Sequence, residues 1–141
     1  MIEIAFREYL LSITAIAALV STRVSVMRLP QNVTLPAISY MIDGAWRVES
    51  QKGGTGLVRT RMQVDHWASS MLGARQLAEA TRKVLQGYRG NMGSGANLTA
   101  VSQVRFQSEL NFYHEDVNNY RVTHDYHIWH EEAKPTVNTY Q

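Results

Sequence analysis

The sequence predicts an α+β domain, a mainly antiparallel sheet with two helices packed on one face, in the order α-β-β-β-α-β-β. Three observations predict it. Apolar residues recur at steps of three and four in two segments, which is helical spacing. Elsewhere they alternate with polar residues at a period of two, which is strand spacing. Hairpin-like connections join most of these segments. The chain has 141 residues, a length that suits one domain able to bury roughly 70% of its unfolded surface. That domain is assigned to residues 1–131 and is followed by a polar tail, 132–141.

Residues 2–20 read as one amphipathic helix. Ile2, Phe6, Tyr9, Ile13, Ile16 and Val20 form the stripe, Leu10 widens it, and Glu3, Arg7, Glu8 and Ser12 lie between. A short extended piece near Val24–Met27 precedes a connector bracketed by Pro30 and Pro36. Ile38, Tyr40 and Ile42 then alternate with Ser39, Met41 and Asp43 as a strand. Residues 44–56, with Gly44, Gly53, Gly54 and Gly56, read as a flexible loop. The clearest strand follows. One parity is Val58, Thr60, Met62, Val64, His66 and Ala68; the other is Leu57, Arg59, Arg61, Gln63, Asp65 and Trp67.

Ser69 or Ser70 caps a second helix, Met71–Gln86, which Gly87 stops. Leu72, Leu77, Ala80, Val84 and Leu85 supply its apolar side, and Glu79 and Lys83 form an i,i+4 pair on the other. Four glycines make residues 87–97 a loop. In the next strand Val104, Phe106, Leu110 and Phe112 share one parity. A turn at His114–Asn119 leads to the last strand, where Val122, Tyr126 and Ile128 oppose Arg121, Asp125, His127 and Trp129.

The absence of cysteine excludes disulfides, thiolate metal sites and a cysteine nucleophile. Net charge is only +2, and arginine outnumbers lysine 11 to 3. Residues 1–90 carry +5 and residues 91–141 carry −3, an asymmetry that permits head-to-tail contact and that solvated faces also produce. The apolar stretch Tyr9–Val20 is too short to cross a bilayer, and it lacks the flanks of a signal peptide.

No constellation of residues builds an active site. His124, His127 and His130 are the densest histidine cluster. On a strand, however, His124 and His127 point to opposite faces, and His124 and His130 lie roughly 20 Å apart. Asp65 and His66 diverge for the same reason. The glycine stretches lack a following Lys-Ser/Thr and open no helix, so no phosphate loop is built. No catalytic, cofactor-binding or metal-ligating residue is expected. Arg47, Lys52, Arg59 and Arg61 with Trp46 and Trp67 allow a nucleic-acid reading, though Asp43, Glu49 and Asp65 dilute the patch. Trp67 and Trp129 both fall on the polar parity of their strands. Large aromatics facing away from the core suit an interface, unless a further helix or the tail covers them.

Several segments, taken together, resemble the tail completion family of long-tailed bacteriophages. These are Leu29-Pro30-Gln31, Leu35-Pro36-Ala37-Ile38-Ser39-Tyr40, Arg61-Met62-Gln63-Val64-Asp65-His66-Trp67-Ala68, Leu110-Asn111-Phe112-Tyr113, Tyr120-Arg121-Val122-Thr123 and Asp125-Tyr126-His127-Ile128-Trp129-His130. The similarity spans about residues 1–131; His124 departs from it, an aliphatic residue being more typical there. The resemblance implies a structural virion protein made in the host cytoplasm, not an enzyme and without a cofactor. Such proteins form a ring, usually of six copies, which caps the tail tube, ends its polymerisation and joins the tail to the neck. DNA passes through the lumen unread, and the partners are further copies, the tube protein and a neck or head-completion protein, with no membrane. A head-side connector is the alternative position. On this reading Arg59, Arg61, Trp67, Arg121, His127 and Trp129 are expected at interfaces, and Arg47, Gln51, Lys52, Gly53 and Gly54 in a docking loop.

Overall fold

A computed structural model describes residues 1–134. Ile2–Ser12 (α1), Thr14–Val20 (α2) and Val24–Val26 (β1) come first. They are followed by Ala37–Ser50 (β2), Gly53–Ala68 (β3), Met71–Leu85 (α3), Gly90–Met92 (β4), a 3₁₀ turn at Gly95–Asn97, Thr99–His114 (β5) and Asn119–Glu131 (β6). The six strands form one sheet in the order β1-β2-β3-β6-β5-β4. Every pairing is antiparallel except β1 with β2, which is parallel. The α+β class and the α-β-β-β-α-β-β frame are as expected, with an extra break in the first helix and an extra short strand.

The expected single helix over 2–20 is two helices. Ile13 is extended (φ −87°, ψ 114°), and the Ser12 hydroxyl donates to the Tyr9 carbonyl at 2.6 Å. A side chain that bonds back into its own helix, next to β-branched Ile13 and Thr14, weakens the helix at that point. The break lets each half bury its own face, Ile2, Ala5, Phe6 and Leu10 in α1 and Ile16 and Val20 in α2.

The expected loop over 44–56 is instead a long hairpin. β2 runs to Ser50, Gln51 and Lys52 make the turn, and β3 begins at Gly53. Its glycines stand where the backbone needs them: Gly53 and Gly56 have φ of +111° and +86°. Glycine content alone made this stretch look irregular, whereas ladder pairing from Arg47–Val58 to Ser50–Gly53 makes it strand. The glycine-rich 87–97 segment likewise contains β4 and a 3₁₀ turn.

In α3, Ser70 accepts a hydrogen bond from the Gly73 amide at 3.0 Å and so caps the helix. Gly87, with φ of +80°, stops it. The buried face is Ala74, Leu77, Ala78, Thr81 and Leu85, while Leu72 points to solvent. The Glu79 partner is Arg82 at i+3 rather than Lys83.

All helices pack on one face of the sheet, and the core lies between, around Phe6, Leu10, Ile16, Tyr40, Met62, Leu77 and Tyr126. Each residue of the even parity of β3 from Val58 to Ala68 is buried there. β5 breaks its expected alternation. Register shifts between Val101 and Gln103 and between Phe106 and Ser108 each insert one residue. Val104 and Phe106 therefore face the core, but Leu110 and Phe112 emerge on the opposite, helix-free face. The core face also holds histidines. His66 is fully buried, its Nδ1–H donating to the Val122 carbonyl at 2.9 Å, and its ring lies 5.0 Å from that of His124. His124 is satisfied by Glu109 at 2.8 Å and the Tyr126 hydroxyl at 3.1 Å.

Glu132 is held beside the hairpin. Its amide donates to the Gly56 carbonyl at 2.7 Å and its carboxylate pairs with Arg47. Residues 135–141 of the expected loose tail lie outside the described residues.

Candidate functional site

The helix-free face of the sheet gathers the residues singled out from the sequence. Because side chains alternate along a strand, Arg59, Arg61, Gln63, Asp65 and Trp67 of β3 share this face. Pairing places them opposite Trp129, His127, Asp125, Thr123 and Arg121 of β6. β2 contributes Trp46 beside Arg59, and β5 contributes Leu110 and Phe112.

Two arginine–aromatic rows result, one near each end. In the first, the Arg59 guanidinium lies 4.4 Å from the Trp46 ring centre and 5.5 Å from that of Trp129. In the second, Arg121 lies 4.3 Å from Phe112 and 5.3 Å from Trp67. A guanidinium stacked on its flat faces keeps its in-plane N–H groups for other partners. The Nε–H of Arg59 and that of Arg121 are buried and have no acceptor among the described residues, so a partner would meet the outer NH₂ groups. Eight residues separate Arg59 from Trp67, so the rows stand roughly 26 Å apart at about 3.3 Å per residue.

Between the rows the face is polar and largely self-neutralised. Arg61 meets Asp43 at 3.2 Å and Asp125 at 3.5 Å. Asp65 accepts from the Thr123 hydroxyl at 2.6 Å and from Gln63, and lies 3.7 Å from Arg121. His127 lies 6.4 Å from Trp46; partial burial, with Arg59 and Arg61 nearby, holds its pKa below the usual histidine value.

Trp67 is more sheltered than an interface anchor needs to be. Its Nε1–H donates to Ser39 Oγ at 3.0 Å, its ring lies 5.0 Å from that of His114, and the connector around Leu29–Val33 borders it. Trp46, by contrast, is 47% exposed. Its role was hidden because residues 44–56 read as a loop; the period-two run Trp46-Val48 was the available signal. Phe112 was hidden by the bulge, which no period count locates.

Arg47 sits on the hairpin rather than in a loop. Its Nε lies 2.6 Å from Glu132 Oε1, and this hydrogen bond holds the Glu132 carboxyl below the usual carboxylate range. Gln51, Lys52 and Gly53 form the exposed tip, with Gly54 just behind it.

No group of three or more histidine, aspartate or glutamate side chains converges at metal-binding distance among the described residues. Among them, too, no helix is long and apolar enough to cross a membrane.

The sequence matches the family described as tail completion protein gp17 over residues 5–131. The chain belongs to that family. Membership makes it a structural tail-completion protein of bacteriophage type, as the segments quoted above implied. The fold is also found in a chain of a solved structure described as the virion of a native gene transfer agent particle. That chain is 14% identical and superimposes with a TM-score of 0.72 over 92% of this chain and 93% of its own length. No curated protein matches the sequence. In tail completion terms, the helix-free face with its two arginine–aromatic rows is the candidate contact surface, and the hairpin tip the candidate docking element.

Proposed function

We propose that this protein assembles as a ring, of six copies, that caps the phage tail tube, terminates its polymerisation and joins the tail to the neck. The observation that carries the reading is the helix-free sheet face. Two tryptophans stacked on an arginine and left partly exposed are more than a small cation–π gain asks of a monomer, and such residues are enriched at protein interfaces. Family membership and a fold shared with a virion component support the same reading. Arg59, Arg61, Trp67, Arg121, His127 and Trp129 form the contact face. The β2–β3 hairpin tip, with Arg47, Gln51, Lys52, Gly53 and Gly54, reaches the tube or neck as a stiff arm rather than by ordering a loop. DNA crosses the lumen without sequence recognition, and the role is non-enzymatic.

A nucleic-acid role for the same face is the weaker reading. Arg61 and Arg121 already face carboxylates, and phosphate binding needs cations that are free to release counterions.

Negative-stain microscopy of the protein mixed with purified tail tubes tests the proposal, with and without Trp129→Ala. Rings on tube ends that disappear in the variant are the expected result. Binding to neck complexes but not to tubes would move the protein to the head side. Binding to neither would refute the joining role.

A further inference from the structure

The sheet has two open edges, and they lie at opposite ends of the molecule. β1 covers β2 only along Ile38–Tyr40, and β4 covers β5 only along Thr99–Val101. Beyond those short caps, β2 from Met41 to Ser50 and β5 from Ser102 to His114 have a described strand on one side only, and on β5 the Gly87 amide donates to the Val104 carbonyl at 2.8 Å. Uncovered edges of this length are usually blunted by lysine, proline or bulges. β2 does carry bulges, after Ile42 and after Arg47. Ser108–His114 carries none: its register with β6 is continuous, and it contains no proline, glycine or lysine. Its one carboxylate, Glu109, is turned to His124 and Arg75.

We propose that neighbouring copies join edge to edge, with the open stretch of β5 in one copy adding to the open stretch of β2 in the next. This deepens the ring reading and rests on it. Three features of the fold point to this partner rather than to an unrelated strand. First, direction: three successive antiparallel pairings make β5 antiparallel to β2. Copies related by rotation about a ring axis therefore meet in an antiparallel pair, the better hydrogen-bonded kind. Second, the side chains match. Trp46 on one edge and Leu110 and Phe112 on the other project from the same helix-free face and are all exposed. Joined edges extend one apolar row across the boundary.

Third, closure. The caps lie at opposite ends of the two edges, and setting the unbulged Ser108–His114 stretch against the open part of β2 gives a stagger. Ile42 and Ala45 lie level with Met62 and Thr60, whereas Asn111 lies level with Val122 and so with His66. The stagger is then about four to six residues, roughly 13–20 Å at about 3.3 Å per residue. Four strands at about 4.8 Å make a copy roughly 19 Å wide. A flat ring built with that offset tilts its strands by roughly 35–45°, the range in which sheets close into barrels. An edge contact with this stagger is thus compatible with a closed, heterologous ring.

Cysteine trapping tests it, since the natural chain has no cysteine. Asn111→Cys would be combined in turn with Ile42→Cys and with Ala45→Cys; all three positions share the helix-side face, and within one chain they lie on opposite edges. Oxidation of rings formed on tail tubes should give covalent ladders beyond the dimer from at least one double variant. Single variants should stop at dimers. Leu110→Lys with Asn111→Lys, both at exposed positions, should keep the monomer's melting temperature and abolish rings. Rings that form normally but yield neither ladder, or that tolerate both lysines, overturn the edge pairing and leave the ring reading standing. A wild-type protein that forms no ring, alone or on tubes, overturns both.

Discussion

The guanidinium of Arg59 rests 4.4 Å from the ring centre of Trp46, an adjacent residue on the next strand. Trp129 lies on its other side, so the cation is held between two indoles on a face that no helix covers. An exposed cation–π contact is worth about 0.5–1 kcal/mol. Arg59→Ala should therefore cost about 1 kcal/mol in urea unfolding and shift the tryptophan emission spectrum. Arg59→Lys should restore only part of either. An unchanged spectrum in Arg59→Ala would show that the stack is not populated in solution.

Gly93 is the most constrained glycine of the 87–97 segment. Its φ is +80°, and a Cβ there would lie 2.8 Å from the Asn97 carbonyl oxygen and 2.9 Å from Ala5 Cα. Both obstacles are backbone, so no rotamer change relieves them. Gly93→Ala should cost at least about 2 kcal/mol, combining clash with left-handed strain. Gly87→Ala, with nothing within 4 Å, should cost only the strain of its positive φ. Equal losses in the two variants would contradict the close approach of this segment to α1.

Acid should unfold the protein early. Burial, with His124 nearby, pushes the His66 pKa down to about 3, and burial lowers those of His124 and His130 as well. Below pH 6.5, where the unfolded chain takes up protons, the folded state thus keeps His66 neutral and disfavours protonation of His124 and His130. Stability is flat above that pH and falls below it by about 1.4 kcal/mol per pH unit for each histidine that stays neutral. Between pH 6.5 and 5 the lowered carboxylates, such as Glu109 and Glu132, stay ionised and contribute little. Urea midpoints across that window should show the slope, and His66→Asn, which can still donate to Val122, should flatten it by about one proton.

The hairpin tip should be dispensable for folding. Ser50, Gln51, Lys52 and Gly53 are exposed, and the local bonds there, such as Thr55 Oγ1 to the Val48 carbonyl at 2.8 Å, serve only the hairpin. Deleting Ser50–Thr55 should shift the melting temperature by no more than a few degrees while reducing tail–head joining in a reconstitution assay. Full joining by the deletion protein would remove the tip from the docking surface.

Much of this architecture was legible because its signals are local. Period-two alternation placed the core parity of β3 residue by residue, and Ser70 and Gly87 bounded α3 through cap chemistry. The failures have a common cause. A residue inserted by a bulge leaves composition unchanged but reverses every side chain after it, which moved Leu110 and Phe112 off the core. Glycines in a strand look like loop until a partner strand supplies the hydrogen bonds. The candidate site was half visible. Trp67, Trp129, Arg59 and Arg121 stood out on the polar parity, while Trp46 and Phe112, the closer stacking partners of the two arginines, did not.

What the sequence by itself determined was the family, the α+β class and which parity of each regular strand seeks the core, because these depend on residue type and spacing along the chain. What only the tertiary structure decided was which side chains meet across strands. Register, bulges and sheet order are set by long-range pairing, and it is these that bring Arg59 between two tryptophans and leave two strand edges open at opposite ends of one sheet.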